Sequence, residues 1–228
     1  MPTLHARQYR QGLRLVGGGS TAHEETRTLS AATPIRGILL DVMDTVSHDP
    51  FYDEMPRILG MSFSEMLRLK HPTAWLDFEC GRLAEEDFLA RFFADGRAFD
   101  HETFRRAVFD AYRWLDGMED LVDALVARRI PLGWVSNYSL WSEEVDRRLG
   151  LTRRAPWIFL SWKEGFRKPD ARVFQVIRAR WGMAPSETLF VDDREANVQA
   201  AAAAGFQTHL FRGEADLARR VAAAGLSG

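Results

Sequence analysis

In LLDVMDTV, residues 39–46, an apolar run ends in Asp41. A carboxylate at the carboxyl end of a buried strand faces the crevice in which open α/β sheets collect ligands. From there it can attack phosphorus and form an aspartyl-phosphate. Asp is also common wherever a strand stops, so Asp41 is equally suited to capping the next turn. Three further stretches supply partners for the first role: WVSN ends in Ser136-Asn137, FRKPD carries Lys168, and FVDD ends in the doublet Asp192-Asp193. A hydroxyl at Ser136 and the amide of Asn137 can hold phosphate oxygens, and Lys168 can neutralise charge beside a nucleophile. Carboxylates at Asp41 and Asp193 can bind magnesium, and a cation relieves the repulsion among clustered acids.

These residues act together only if a scaffold brings their strand ends to one edge. Short apolar runs rich in β-branched or aromatic side chains and bounded by turn residues predict five strands, at 35–42, 130–137, 157–162, 188–193 and 206–211. Segments with apolar spacings of three and four predict helices at 140–149, 170–182, 194–204 and 214–224. Alternation of strand and helix implies right-handed crossovers and a parallel sheet covered on both faces. The fold class is therefore α/β, with a Rossmann-like parallel sheet.

The first crossover spans about 85 residues where one helix suffices, so it must hold an inserted module. Helical patterns at 61–70, 85–96 and 101–115, with Ser62 and Glu65 spaced as a capping box, make that module a helical cap between the first and second core strands. The expected organisation is a flexible N-terminal tail over 1–34, an α/β core over 35–46 and 117–228, and a cap over 47–116 lying above the crevice as a lid. The tail is rich in Gly, Ser, Thr and Arg, and its GGGS at 17–20 lacks the strand-loop-helix setting of a phosphate cradle.

Composition narrows the functions. The 228 residues are 46% hydrophobic and 27% charged, the balance of a globular chain, with a formal net charge of −2. No basic field draws nucleic acid, and solvated helix faces account for the scattered arginines. No run of about 18 apolar residues predicts a membrane span. The single cysteine, Cys80, excludes an internal disulfide, fits a reducing compartment and reads as an ordinary buried or half-buried thiol. Glu24 and Glu25 speak against a transit peptide, and no secretory apolar core is present, so the expected location is cytoplasmic.

Taken together and in this order, DVMDT, WVSN, FRKPD and FVDDREAN resemble the haloacid dehalogenase superfamily over residues 35–212. The resemblance implies Asp41 as nucleophile, Ser136 as phosphate ligand, Lys168 as the lysine that orients nucleophile and phosphate, and Asp193 as a magnesium ligand with Asp192 in support. It also implies that the residue two after the nucleophile gives the metal its backbone carbonyl, which Met43 can do. The family's side chain at that position is an aspartate that protonates the leaving oxygen and then activates water. Met43 has no proton to give. Asp44, standing where the family has glycine, either reaches the leaving group through a water or only accepts backbone amides in its turn.

A narrower resemblance, to plant plastid flavin mononucleotide hydrolases, runs through DVMDTVSHDPFYDEMPRILGM, KHPTAWLDFECG and FFADGRAFD. It implies a small phosphorylated metabolite as substrate, FMN foremost, with Phe51, Tyr52, Trp75 and Phe78 as an aromatic wall able to stack an isoalloxazine ring. Each of these aromatics would equally serve as the cap's own core. His48 and His71 are two further acid-base candidates by type, and turn or surface positions account for both equally. Two other functions fit parts of the pattern. Dehalogenation of a 2-haloacid needs no proton at position 43 but leaves the acidic doublet without a purpose, and a non-catalytic binding fold explains Met43 but not the other four landmarks.

Overall fold

The computed structural model describes residues 33–226. The expected tail at 1–34 lies almost wholly outside them. Five parallel strands form one sheet: β1 (Gly37–Leu40), β2 (Leu132–Ser136), β3 (Trp157–Leu160), β4 (Thr188–Asp192) and β5 (Gln207–Leu210), in the spatial order β3, β2, β1, β4, β5. All five strands lie inside their predicted windows, each trimmed by a few residues.

Pleating explains why the central strand is apolar throughout. Successive side chains point to opposite faces, so Ile38 and Leu40 enter one hydrophobic cluster while Leu39 joins Val135, Phe159, Phe174 and Phe190 in the other. With both faces covered, no position of β1 tolerates a polar residue until the strand ends. Burying one such leucine contributes about 1.5–3 kcal/mol.

Register then fixes the chemistry-bearing ends. Leu40 pairs with Val191 on one side and with Trp134 on the other. Asp41 therefore emerges beside Asp192 and level with Val135, and its amide donates to the Val191 carbonyl at 2.9 Å.

Six helices separate β1 from β2: α1 (Glu54–Ile58), α2 (Phe63–Leu69), α3 (Ala74–Glu79), α4 (Glu85–Ala90), α5 (His101–Ala111) and α6 (Met118–Ala127). Sequence periodicity found α2, α4 and α5 and missed α1, α3 and α6. The first two of those are only five and six residues long, too short to show a period.

The predicted helix at 85–96 stops at Ala90, because Phe92 and Phe93 turn into the core and the chain there pairs with residues 69–71 through His71 N to Phe92 O and Ala94 N to Leu69 O. Ser62 caps α2 as expected, its hydroxyl accepting from the Glu65 amide at 3.2 Å. The stretch starts and ends at one point, where Val46 and Leu115, and His48 and Arg113, are joined by backbone bonds.

The remaining helices are α7 (Ser142–Leu149), α8 (Ser161–Glu164), α9 (Ala171–Trp181), α10 (Glu195–Ala203) and α11 (Glu214–Ala223). Among the described residues no helix is long and apolar enough to cross a membrane.

Candidate active site

Three of the four stretches meet at one ammonium group through side chains, and the fourth, WVSN, adds a backbone carbonyl. Lys168 is 1% exposed, and its Nζ donates to Asp41 Oδ1 at 2.6 Å, to Asp192 Oδ2 at 2.7 Å and to the Val135 carbonyl at 2.8 Å. The fourth stretch fixes the loop that delivers it. Asn137 Nδ2 donates to the Lys168 carbonyl at 2.9 Å, and the Lys168 amide donates to Asn137 Oδ1 at 2.8 Å. The Asn137 side chain is thereby committed to positioning Lys168 rather than to an incoming phosphate.

Asp192, wholly buried, also accepts from Asn197 Nδ2 and from the Arg194 amide, both at 2.9 Å. Its oxygens are fully engaged. Asp193, one residue on, is half-buried and lines a cleft of about 240 Å³ together with Asp41, Met43 and Lys168. The second Asp41 oxygen accepts from the Thr45 hydroxyl at 3.3 Å, a contact four residues along that the sequence reading overlooked.

Burial, more than any other cause, drives the Asp41 carboxyl from 3.8 up to about 8; Lys168 opposes the shift, and the neighbouring Asp192 and Asp193 add to it. For Lys168, burial works to lower the pKa, but Asp192 and Asp41 outweigh it and hold the ammonium above its ordinary value. One buried positive charge, with the exposed Arg194 beside it, thus serves three acids. Asp41, Asp192 and Asp193 each offer an oxygen within 4.8 Å of the others. Carboxylate oxygens are the hard donors that magnesium takes, so this set fits a divalent cation that would supply the missing charge.

The turn after Asp41 holds the two unusual residues. Ser47 N donates to the Val42 carbonyl and Asp44 N to the Ser47 carbonyl, and neither bond uses the carbonyl of Met43. Asp44 adopts φ 55, a left-handed conformation in which glycine is unstrained and Asp is among the few other residues tolerated. Its Oδ1 accepts the Asp49 amide at 3.2 Å, so the turn-holding role is real, while the residue also lines the cleft. Burial raises the Asp44 carboxyl above its ordinary value, only partly offset by that amide.

Ser136 ends β2 with 1% exposure, and its Oγ is buried without a hydrogen-bond partner. Phe51, Tyr52 and Trp75 line the cleft, but Phe78 does not. It lies 1% exposed in the core, stacked on Phe88 with ring centroids 4.5 Å apart. His48 is absent from the cleft lining and is held by Glu54 at 2.8 Å, and the ring of His71 accepts the Thr73 and Ala74 amides at the start of α3. Neither histidine is placed to replace the acid missing at Met43.

Four charged cleft residues were not singled out from the sequence: Asp49, Glu79, Arg167 and Arg194. The two arginines adjoin Lys168 and Asp193, yet an arginine in a charged stretch reads as solvated unless the tertiary structure covers it. Burial pushes both the Asp49 and Glu79 carboxyls up to about 7.

A five-stranded parallel sheet with Asp41, Lys168 and Asp192 joined at its edge, and six helices between its first two strands in sequence, is the haloacid dehalogenase fold. The chain matches the family described as haloacid dehalogenase-like hydrolase over residues 54–205. It belongs to that family and is a hydrolase. It is 34% identical over 209 residues to flavin mononucleotide hydrolase 1, chloroplastic, of Arabidopsis thaliana, covering 92% of this chain and 84% of that one.

Among solved structures, a HAD-like family hydrolase from Porphyromonas gingivalis superimposes with a TM-score of 0.65 at 24% identity, covering 83% of this chain and 98% of its own. A HAD-family enzyme of Bacteroides thetaiotaomicron, in complex with magnesium and inorganic phosphate, does so with a TM-score of 0.62 at 16% identity, covering 79% and 96%. At these identities the two structures attest the fold.

Proposed function

We propose that this hydrolase cleaves the phosphomonoester of a small metabolite with magnesium, FMN being the favoured substrate, through an aspartyl-phosphate on Asp41. One observation carries the reading: Asp41 reaches the cleft with its oxygens held by Lys168 at 2.6 Å and Thr45 at 3.3 Å, beside the cleft-lining carboxylate of Asp193. The family match begins at residue 54, so the role of Asp41 rests on this geometry. In this reading residues 47–116 are the cap over a core of 35–46 and 117–228.

Asp41 attacks phosphorus, a bond forms between its oxygen and phosphorus, and the bond to the leaving alcohol breaks. That alcohol oxygen takes a proton from Asp44 through a water, since Met43 has none to give. A second water then attacks the phosphorus, returns a proton to Asp44 and frees phosphate and the Asp41 carboxylate. Lys168 holds the nucleophile in line, and the unpartnered Ser136 hydroxyl and the main chain at Asn137 hold phosphate oxygens. Asp41, Asp193 and the Met43 carbonyl would hold magnesium, with Asp192 in support, and the ion supplies positive charge against the phosphate oxygens. The Arabidopsis relative and the cleft aromatics Phe51, Tyr52 and Trp75 support a flavin substrate.

The test is phosphate release from a panel of phosphomonoesters that includes FMN, in Mg²⁺ and in EDTA, for wild type and Asp41→Asn. FMN is expected among the best substrates, with activity lost in EDTA and reduced at least about 10³-fold in the variant. Release from no ester in Mg²⁺ would overturn the proposal, and chloride release from a 2-haloacid that persists in EDTA would replace it with dehalogenation.

A further inference from the structure

Glu79 and Arg167 line the same cleft as Asp41, and the phosphoryl-transfer steps do not use them. Glu79 closes α3, and its side chain is 5% exposed. Its Oε2 lies 3.1 Å from Arg167 Nη1, close enough for an ion pair, yet the angles make no hydrogen bond. Both Glu79 Oε2 and Arg167 Nε are buried without a hydrogen-bond partner. Leaving such a group unmatched is costly, more so when it is charged, and folded proteins rarely do so without a reason.

The carboxyl has no easy route out of the cleft, because the backbone around it is pinned to the core. Ser161 Oγ donates to the Glu79 carbonyl at 2.6 Å, and Arg82 Nη1 donates to the Gly165 carbonyl at 3.1 Å. Between them Gly81, at φ +66, packs so tightly on the Trp162 carbonyl that a Cβ would collide with it. Arg167 is fixed from the other side as the neighbour of Lys168, whose backbone and side chain are both bonded. Two unmatched polar groups therefore sit on residues that line the same cleft, Glu79 on a pinned backbone and Arg167 with its side chain 30% exposed.

Their neighbours narrow what would match them. Trp75 stands four residues before Glu79 on α3, so both project from one face of the helix, and both line the cleft. An aromatic face beside a donor and an acceptor suits a flat ring with polar atoms along one edge. The rest of the lining disfavours a leaving group with its own carboxylate, because Asp44, Asp49 and Asp193 also line the cleft against one further cation, Arg194, while Lys168 is spent on Asp41 and Asp192.

We propose that Glu79 and Arg167 form a subsite for the leaving group, reading the edge of an uncharged flat ring that carries adjacent hydrogen-bond donor and acceptor atoms while Trp75 stacks on its face. In this subsite Arg167 Nε donates to a ring carbonyl and the Glu79 carboxyl pairs with the neighbouring N–H. With burial lifting it to about 7, that carboxyl enters the subsite at low cost in charge. The assignment rests on the hydrolase reading for what lies at the other end of the substrate, and on Glu79 and Arg167 alone for the ring.

Two probes separate the claims. Riboflavin, a flat imide-edged ring without phosphate, is titrated by quenching of its fluorescence, and kcat/KM is measured for FMN and for p-nitrophenyl phosphate, whose ring lacks an imide edge. Wild type is expected to bind riboflavin, and Glu79→Ala to weaken that binding about tenfold or more. The same change should reduce kcat/KM for FMN about tenfold further than for p-nitrophenyl phosphate, chiefly through KM. Glu79→Gln, nearly isosteric and still hydrogen bonding, should recover most of both losses and guards against a folding defect, which circular dichroism would report.

Wild type that does not bind riboflavin, or equal losses on both esters, would overturn the subsite. Binding of riboflavin that depends on Glu79, in a protein that releases phosphate from no ester, would uphold the subsite and reject the hydrolytic reading.

Discussion

At the strand ends, Lys168, Asp41, Asp192, Asn137 and Asn197 leave almost no polar atom unbonded, whereas along α3 and its neighbours Glu79 and Arg167 touch without a hydrogen bond. The Glu79 side chain, 5% exposed, is as buried as the strand-end groups, so exposure does not account for its missing bond, although the Arg167 side chain is 30% exposed. In the proposed phosphoryl transfer those bonds would hold the geometry at phosphorus fixed, while Ser136 Oγ at the end of β2 stays without a partner. The α3 groups keep unspent donors and acceptors, which is what a wall that recognises a particular leaving group requires. Rigid chemistry and open recognition thus share one cleft.

Substitutions on each side should reveal this asymmetry. The largest effect is expected for Lys168→Met, which strips the only ammonium from two buried carboxyls. Breaking such a cluster destabilises by about 3–5 kcal/mol, read as a lower urea midpoint, and phosphate release should fall with it. The stability loss should shrink as pH falls, because Asp41 then takes up a proton. If Lys168→Met proves no less stable than Glu79→Gln, the contrast between the two regions fails.

Next comes the pH dependence of the open wall. Asp49 titrates at about 7 in the folded protein against 3.8 ordinarily, held up first by burial. The folded state thus keeps a proton that the unfolded chain releases, so stability should fall as pH rises from about 4 to about 7 and level off above. Asp49→Asn keeps the oxygen that accepts the Phe51 amide at 3.0 Å. It should flatten part of that slope, gaining on the order of 2 kcal/mol at pH 7.5 relative to pH 5, measured by urea unfolding at the two pH values. An unchanged slope would show that Asp49 is already solvated and ionised.

The smallest expected change is a gain at the junction of the two regions. Met43→Asp places a proton donor in the cleft lining beside Asp41 and should raise kcat about tenfold, less than a general acid contributes from nothing because, in the proposed reaction, Asp44 relays through water. A rise far beyond that would mean that Asp44 serves only its turn, and no rise would mean that Asp44 fills the role alone.

The strands were legible because burial on both faces demands apolar runs of a set length, which is why Ile38, Leu39 and Leu40 announce β1 without any partner in view. Asp41, Lys168 and Asp192 were legible for the converse reason: a charged residue at the end of such a run is costly unless it has work to do. Short helices such as α3 left no periodic trace, and with α3 went Glu79. His48 was a candidate by its nearness in sequence to Asp41 and by its pKa, yet Glu54 six residues on captures its ring. Phe78 shares a helix with Trp75 and touches its ring, but it lies deeper, 1% exposed, where Phe88 and Trp141 enclose it.

By itself the sequence determined the five-stranded sheet, the place of the helical insertion and the charged residues at the strand ends, since each is written in local apolar patterns and in the cost of ending them. Tertiary structure alone decided that Asn137 holds Lys168, that Asp192 is spent while Asp193 faces the cleft, and that Glu79 and Arg167 meet across 88 residues of chain without satisfying each other. Those outcomes depend on which groups compete for a bond once distant segments are packed together, and no local pattern records that competition.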